Sequence, residues 1–85
     1  MSCRVNLKYF ASIREAIGQG GESLVTSAAT LQDLRDELIA RGGAYAEALG
    51  PQRALRAAIN QELCDGSAVL TEGCEVAFFP PVTGG

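Results

Sequence analysis

From residue 4 the chain alternates. Val5, Leu7 and Tyr9 fall on one face of an extended segment, and Asn6, Lys8 and Phe10 on the other. That two-residue period predicts a half-buried strand over residues 4–10. Phe10 is an anomaly on the polar side: the next segment covers it, or it joins an exposed apolar patch. Ala11–Ile17 follows as a short helix, with Ser12 as cap and Gly18 as stop. Gly18-Gln19-Gly20-Gly21 is then a turn, and residues 22–26 a second strand with Leu24 inward, antiparallel to the first. The clearest helix starts at Thr30, whose hydroxyl can accept from the N–H three residues on, at Asp33. Leu31, Leu34 and Leu38 recur at helical spacing, polar residues cover the other side, and Gly42 or Gly43 ends the helix in a left-handed conformation. The leucine stripe reads as core rather than as a partner-binding face.

Beyond it, residues 44–49 predict a further helical turn and 54–59 a third strand. Asn60-Gln61 turns the chain into a short strand, Glu62–Cys64, and Glu72-Gly73 turns it into the last strand, Cys74–Phe79. In that strand Val76 and Phe78 face one way, Ala77 and Phe79 the other. A single well-formed helix on one face of a mixed sheet is an α+β layer. The first and last strands neighbour each other if the centre of the sheet is parallel. Pro80 and Pro81 fix φ and remove two N–H donors, so the segment leaves the sheet there. The chain closes on Gly84-Gly85, a carboxylate on a stalk without side chains that another protein's backbone can approach closely.

Composition narrows the functions. At 85 residues this is one domain, burying about 60% of its unfolded surface. The net charge is −3 and the seven Lys and Arg are scattered, which argues against a nucleic-acid partner. No apolar run approaches a membrane span, and the opening residues lack a signal-peptide core, so a cytoplasmic protein is expected. The glycine turn lacks the lysine of a phosphate loop and the spacing of a dinucleotide fingerprint. There is no His, and Cys3, Cys64 and Cys74 stand far apart. This excludes His-based triads and leaves no metal site at zinc spacing. The cysteines read as small, mostly buried apolar residues in a reducing compartment.

Val5…Tyr9-Phe10-Ala11…Arg14-Glu15, the capped helix from Thr30, Ala57-Ala58-Ile59-Asn60-Gln61, and above all the run from Leu70 to the closing Phe78-Phe79-Pro80-Pro81-Val82-Thr83-Gly84-Gly85 resemble the molybdopterin synthase small-subunit family of ubiquitin-like sulfur carriers. The resemblance spans essentially the whole chain, and its closing motif is the specific part. It implies a ubiquitin-like β-grasp domain over residues 1–81, an α+β fold, with an extended tail over 82–85. It further implies that a ubiquitin-activating-like enzyme adenylates the Gly85 carboxylate with ATP, and that a sulfur donor converts it to a thiocarboxylate. The synthase large subunit, in a heterotetramer, then takes up the tail and passes the sulfur to a pterin precursor. No cofactor would be bound permanently; catalytic residues would lie on the large subunit.

The chemistry has a physical logic. A carboxylate is a poor electrophile, and the adenylate supplies a leaving group that splits one hard step into two. The product sulfur is an anion at neutral pH and attacks without a local base. Pro80, Pro81, Val82, Thr83 and Gly84 would thread the tail into two different active sites. The resemblance also marks Phe10, Arg14 and the outward one of Phe78 and Phe79 as partner contacts, an interface anchored by few aromatics. Cys74 departs from the family, which more often has Asp there, and puts the local turn in question. The alternatives are a related Gly-Gly carrier for thiazole, tRNA or cysteine synthesis, a ubiquitin-like modifier, or a plain binding module with a frayed end.

Overall fold

The computed structural model describes residues 2–81. Its elements run β1 Cys3–Tyr9, α1 Ala11–Ile17, β2 Gly21–Thr26, α2 Leu31–Ile39, α3 Gly43–Leu49, β3 Arg56–Ile59, β4 Glu62–Cys64 and β5 Cys74–Phe79. The five strands form one sheet in the order β2-β1-β5-β3-β4. β1 and β5 pair in parallel at its centre, from Val5↔Cys74 to Tyr9↔Phe78. Every other pairing is antiparallel. With α2 across one face, this is the ubiquitin-like β-grasp expected from the closing motif. Among the described residues, no helix is long and apolar enough to cross a membrane.

The alternation along β1 holds. Val5, Leu7 and Tyr9 are buried while Arg4, Asn6 and Lys8 are exposed. Val76 and Phe78 of β5 join them from the neighbouring strand, and the α2 stripe of Leu31, Leu34 and Leu38 closes the core from above. Ile13 of α1 and Ala48 and Leu49 of α3 fill the remaining side. Each fully buried aliphatic side chain here contributes about 1.5–3 kcal/mol. Thr30 caps α2 as expected, its Oγ1 accepting from Asp33 N–H at 3.3 Å. The loop before β5 satisfies two more of the helix's free donors: Leu31 N–H donates to Ala68 C=O and Gln32 N–H to Gly66 C=O, both at 2.9 Å.

Three local expectations are corrected. Ser12 does not cap α1. The cap position is Phe10, extended at φ −124, and its carbonyl accepts the N–H groups of Ile13 and Arg14. The third strand starts at Arg56 rather than residue 54, because Arg56 is opposite Phe79 and the next partner would be Pro80, which has no N–H to pair. The turn before Cys74 needs no Asp. Cys74 is buried at 2% exposure, and the turn is closed by backbone: Cys74 N–H to Thr71 C=O, and Gly73 N–H to Arg4 C=O at 2.7 Å, with Gly73 at φ 77. The Glu72 carboxylate also accepts from Arg4 N–H at 3.0 Å.

Two polar devices lock the sheet. At the β3–β4 hairpin Asn60 and Gln61 both take positive φ, at 50 and 68, the geometry of a type I′ turn. Asn60 also grips β5: its N–H donates to Glu75 C=O at 2.8 Å and its Oδ1 accepts from Glu75 N–H at 3.0 Å. On the other side, Glu22 of β2 turns inward. It accepts from Tyr45 Oη at 2.7 Å, Tyr9 Oη at 3.0 Å, Gln19 Nε2 at 3.1 Å and Arg41 Nη1 at 3.1 Å. The Arg41 guanidinium also stands 4.8 Å over the Tyr45 ring. One carboxylate thus ties β1, β2 and the start of α3 together. Burial alone would raise its pKa, but the hydrogen bonds from Tyr45, Arg41 and Tyr9 outweigh it and hold the carboxyl below its ordinary value of 4.5. Burial and the same carboxylate push the Tyr9 hydroxyl far upward.

Because the folded-state pKa of Glu22 is lowered, its stabilisation is full above the ordinary carboxylate range and is lost as pH falls through the folded value. Glu22→Gln should therefore cost about 1–3 kcal/mol at neutral pH. The gap from wild type should close on acidification, as read from urea midpoints at a series of pH values. Asn60→Ala should cost about 2 kcal/mol by losing one bond and straining the left-handed residue, and Asn60→Gly about half of that. Equal losses in the same denaturation assay would remove backbone strain from the account.

Candidate functional site

The outer face of the sheet, away from α2, is built by register. Lys8 lies opposite Ala77, Ala77 opposite Ala58, and Ala58 opposite Leu63, one row across four strands. In the next row Phe79 lies opposite Arg56. A strand buried on both faces reads as a near-continuous apolar run, and β5 does so. Ala77 and Ala58 are only 8% and 7% exposed, shallow floor between larger neighbours, whereas Leu63 stands out at 71%. The result is an apolar strip running from Phe79 to Leu63, edged by Lys8 and Arg56.

Phe10 continues β1 by one residue. Its N–H donates to Phe78 C=O at 3.2 Å, so its backbone is held to β5 while its ring is 47% exposed. Of its two expected surroundings, the exposed apolar patch is the one found. Ala11 follows at φ 51, turning the chain sharply into α1. Arg14 is exposed, its side chain lying along Gly20. A hollow of about 440 Å³ between them is lined by Lys8, Phe10, Arg14 and Glu22.

The two rings of the last strand part ways. Phe78 is 1% exposed, stacked on Tyr9 with centroids 6.5 Å apart, and belongs to the core. It is therefore removed from the candidate partner contacts. The reason is the pleat: residue 78 shares the inner face with Val76, residue 79 the outer face with Ala77. Phe79, Pro80 and Pro81 are half-buried where the chain leaves the sheet. Beside Pro80 a second hollow, of about 320 Å³, is floored by Ile13, Ala16, Ala48 and Leu55 and edged by Arg53. Val82, Thr83, Gly84 and Gly85 lie outside the described residues.

The cysteines form no cluster among the described residues. Cys74 is buried, Cys3 and Cys64 half-buried. Burial pushes the Cys64 thiol up, away from a reactive thiolate. Sequence reasoning missed Ala58 and Leu63 on the outer strip. The alternation Glu62-Leu63-Cys64 was the available signal, but a three-residue strand does not reveal which side meets the core.

Known proteins agree with this arrangement. A family model described as the ThiS family matches residues 7–85. The chain is 40% identical over 81 residues to the molybdopterin synthase sulfur carrier subunit of Escherichia coli, covering 95% of this chain and 99% of that one. It is 41% identical to the subunit of the same name from Haemophilus influenzae, over the same shares. Among solved structures, it superposes with a TM-score of 0.65 and 29% identity on a chain from the complex of subunits 1 and 2 of the molybdopterin-converting factor of Helicobacter pylori, covering 96% of this chain and 99% of that one.

The opposite fates of the neighbouring rings give a direct check. Phe78→Ala should cost about 3–5 kcal/mol in urea denaturation. Phe10→Ala should cost no more than about 1 kcal/mol, as for other exposed positions. Comparable losses would place Phe10 in the core.

Proposed function

Because the chain belongs to the ThiS family, we propose that it is the sulfur carrier subunit of a molybdopterin synthase. The reading is carried by 40% identity to a curated sulfur carrier over 95% of the chain, together with a last strand that leaves the sheet at Pro80 on an apolar outer face. The closing motif falls inside the matched span, which runs to residue 85.

In this reading the body is a handle and Gly85 is the working group. Its carboxylate oxygen attacks the α-phosphorus of ATP in a ubiquitin-activating-like partner, and pyrophosphate leaves. Sulfide-level sulfur (HS−) delivered by a donor then attacks the acyl-adenylate carbonyl, AMP leaves, and a thiocarboxylate remains. Pro80 and Pro81 stiffen the root of the tail, and Val82 and Thr83 set its register in the receiving channel. Gly84 and Gly85 present no Cβ to either active site. The large subunit, in a heterotetramer with two carriers, supplies the catalytic side chains that move sulfur onto the pyranopterin precursor to build the dithiolene. Phe10, Phe79 and the strip to Leu63 form the docking face, with Arg14 at its rim. Aromatic anchors in a desolvated patch dominate such interfaces. The work is done in the cytoplasm, where the three cysteines stay reduced.

Deleting Gly85, or adding one residue after it, should abolish sulfur transfer in a synthase reconstituted with the large subunit while leaving the thermal melt unchanged. Retained transfer would reject the tail mechanism. Intact mass of the protein from its own cells should show one oxygen exchanged for sulfur.

A further inference from the structure

We propose that the free edge of β2 is a self-pairing surface, on which a second copy of this chain adds its own β2, antiparallel, about a two-fold axis at Ser23. The inference stands independently of the carrier reading.

Register decides which backbone groups are free. Tyr9 N–H donates to Gly20 C=O at 3.0 Å. Antiparallel pairs alternate between those that exchange N–H···O=C bonds and those that do not. Counting back along the ladder from Tyr9, the bonded pairs are Leu7↔Glu22, Val5↔Leu24 and Cys3↔Thr26. Gly21, Ser23 and Val25 therefore aim their N–H and C=O groups away from β1, at the open side of the sheet. All three residues are exposed. Among the described residues no loop or turn backbone bonds to them.

The two edges of the sheet are unlike. β4, at the far edge, is three residues long, and shortness is one way to blunt an edge. β2 is six residues long and reads Gly-Glu-Ser-Leu-Val-Thr, without Pro, Lys or Arg. Its single charge, Glu22, turns inward to Arg41 at 3.1 Å. A long edge without proline or outward charge is a template for another strand.

The strand is complementary to itself. Pairing about Ser23 sets Gly21 opposite Val25 of the second copy and Ser23 opposite Ser23, so every outward residue exchanges its bonds. Val25 is 58% exposed, and Gly21 leaves it room. A Cβ at Gly21 would stand 2.5 Å from the Leu7 carbonyl oxygen, so that position carries no side chain. Neighbouring charges do not oppose the joint. Arg4, beside Val25, and Lys8 of the second copy, beside its Gly21, come no closer than roughly 14 Å at about 4.8 Å per strand. That exceeds the Debye length of about 8 Å, and Lys8 already faces Glu75 at 3.8 Å. At each end of the joint opposite signs approach. Thr26 falls opposite Gly20 of the second copy; Glu37 accepts from Thr26 Oγ1 at 2.6 Å, and the Arg14 side chain lies along Gly20. The joint is locally balanced although the chain carries −3.

β2 is the edge farthest from β4, so the strip from Phe79 to Leu63 stays open in the pair. The two-fold axis sends the two Pro80 tail roots to opposite ends of the joined sheet. A contact this short buries little area, so the dimer is weak and forms only at high concentration.

The test is sedimentation equilibrium of the full-length chain from about 10 μM to about 1 mM. The weight-average mass should rise from one chain toward two and no further. Val25→Lys places a charge on the edge and should weaken self-association about tenfold or more, with the melting temperature near wild type. Ser23→Pro removes an outward N–H and no bond to β1, and should do the same. Amide exchange at Ser23 and Val25 should slow as concentration rises, while exchange at Leu63 should not. If Ser23→Pro does not fold, Val25→Lys and the exchange pattern decide. A wild-type chain that stays monomeric throughout overturns the proposal, and so does growth beyond two chains. Association lost in Leu63→Lys but kept in Val25→Lys would move the contact to the outer strip and equally overturn it.

Discussion

The parallel ladder between the first and last strands is the constraint from which the rest follows. Parallel strands cannot be joined by a tight turn, so the connection must cross over, and here nearly the whole chain is that crossover. The ladder delivers Phe10 and Phe79 to the same pole, one at the end of each central strand. Sequence separation between them is nearly the length of the domain, and only the ladder makes them neighbours. Its cost is a central strand that must be apolar on both faces. That requirement leaves an apolar strip on the side of the sheet without a helix.

Core packing and exposed apolar surface are thereby assigned to opposite sides of the same strands. Val76 and Phe78 pack inward under α2, while Ala77 and Phe79 look outward. The inner side is reinforced by the Glu22 cluster, where four donors converge on one carboxylate. Glu22 is half-buried, and the hydrogen bonds offset the cost of partly desolvating its charge. The outer side has no comparable reinforcement. Among the described residues its ion pair, Lys8–Glu75 at 3.8 Å, is largely exposed and contributes little.

Much of this was legible before any coordinates. The period along β1, the leucine stripe and cap of α2, the β4 and β5 boundaries and the terminal motif are local signals, and local signals survive folding when packing agrees with them. The missed points share a different physics. Ser12 failed as a cap because Phe10's carbonyl had already taken the first helical donors. The third strand was read two residues too long because its start is set by the prolines of another strand. Glu22 in a strand reads as a solvated position, and its four partners come from three separate stretches of chain.

Periodicity, caps and turn residues by themselves determined which segments are strands and helices, and the terminal run of prolines and glycines determined where the ladder must stop. Those features depend on a residue and its near neighbours. Which of Phe78 and Phe79 is core, and which alanines floor the outer strip, were decided only by the tertiary structure. Each depends on register between strands far apart in sequence, and a shift of one residue would exchange the two faces.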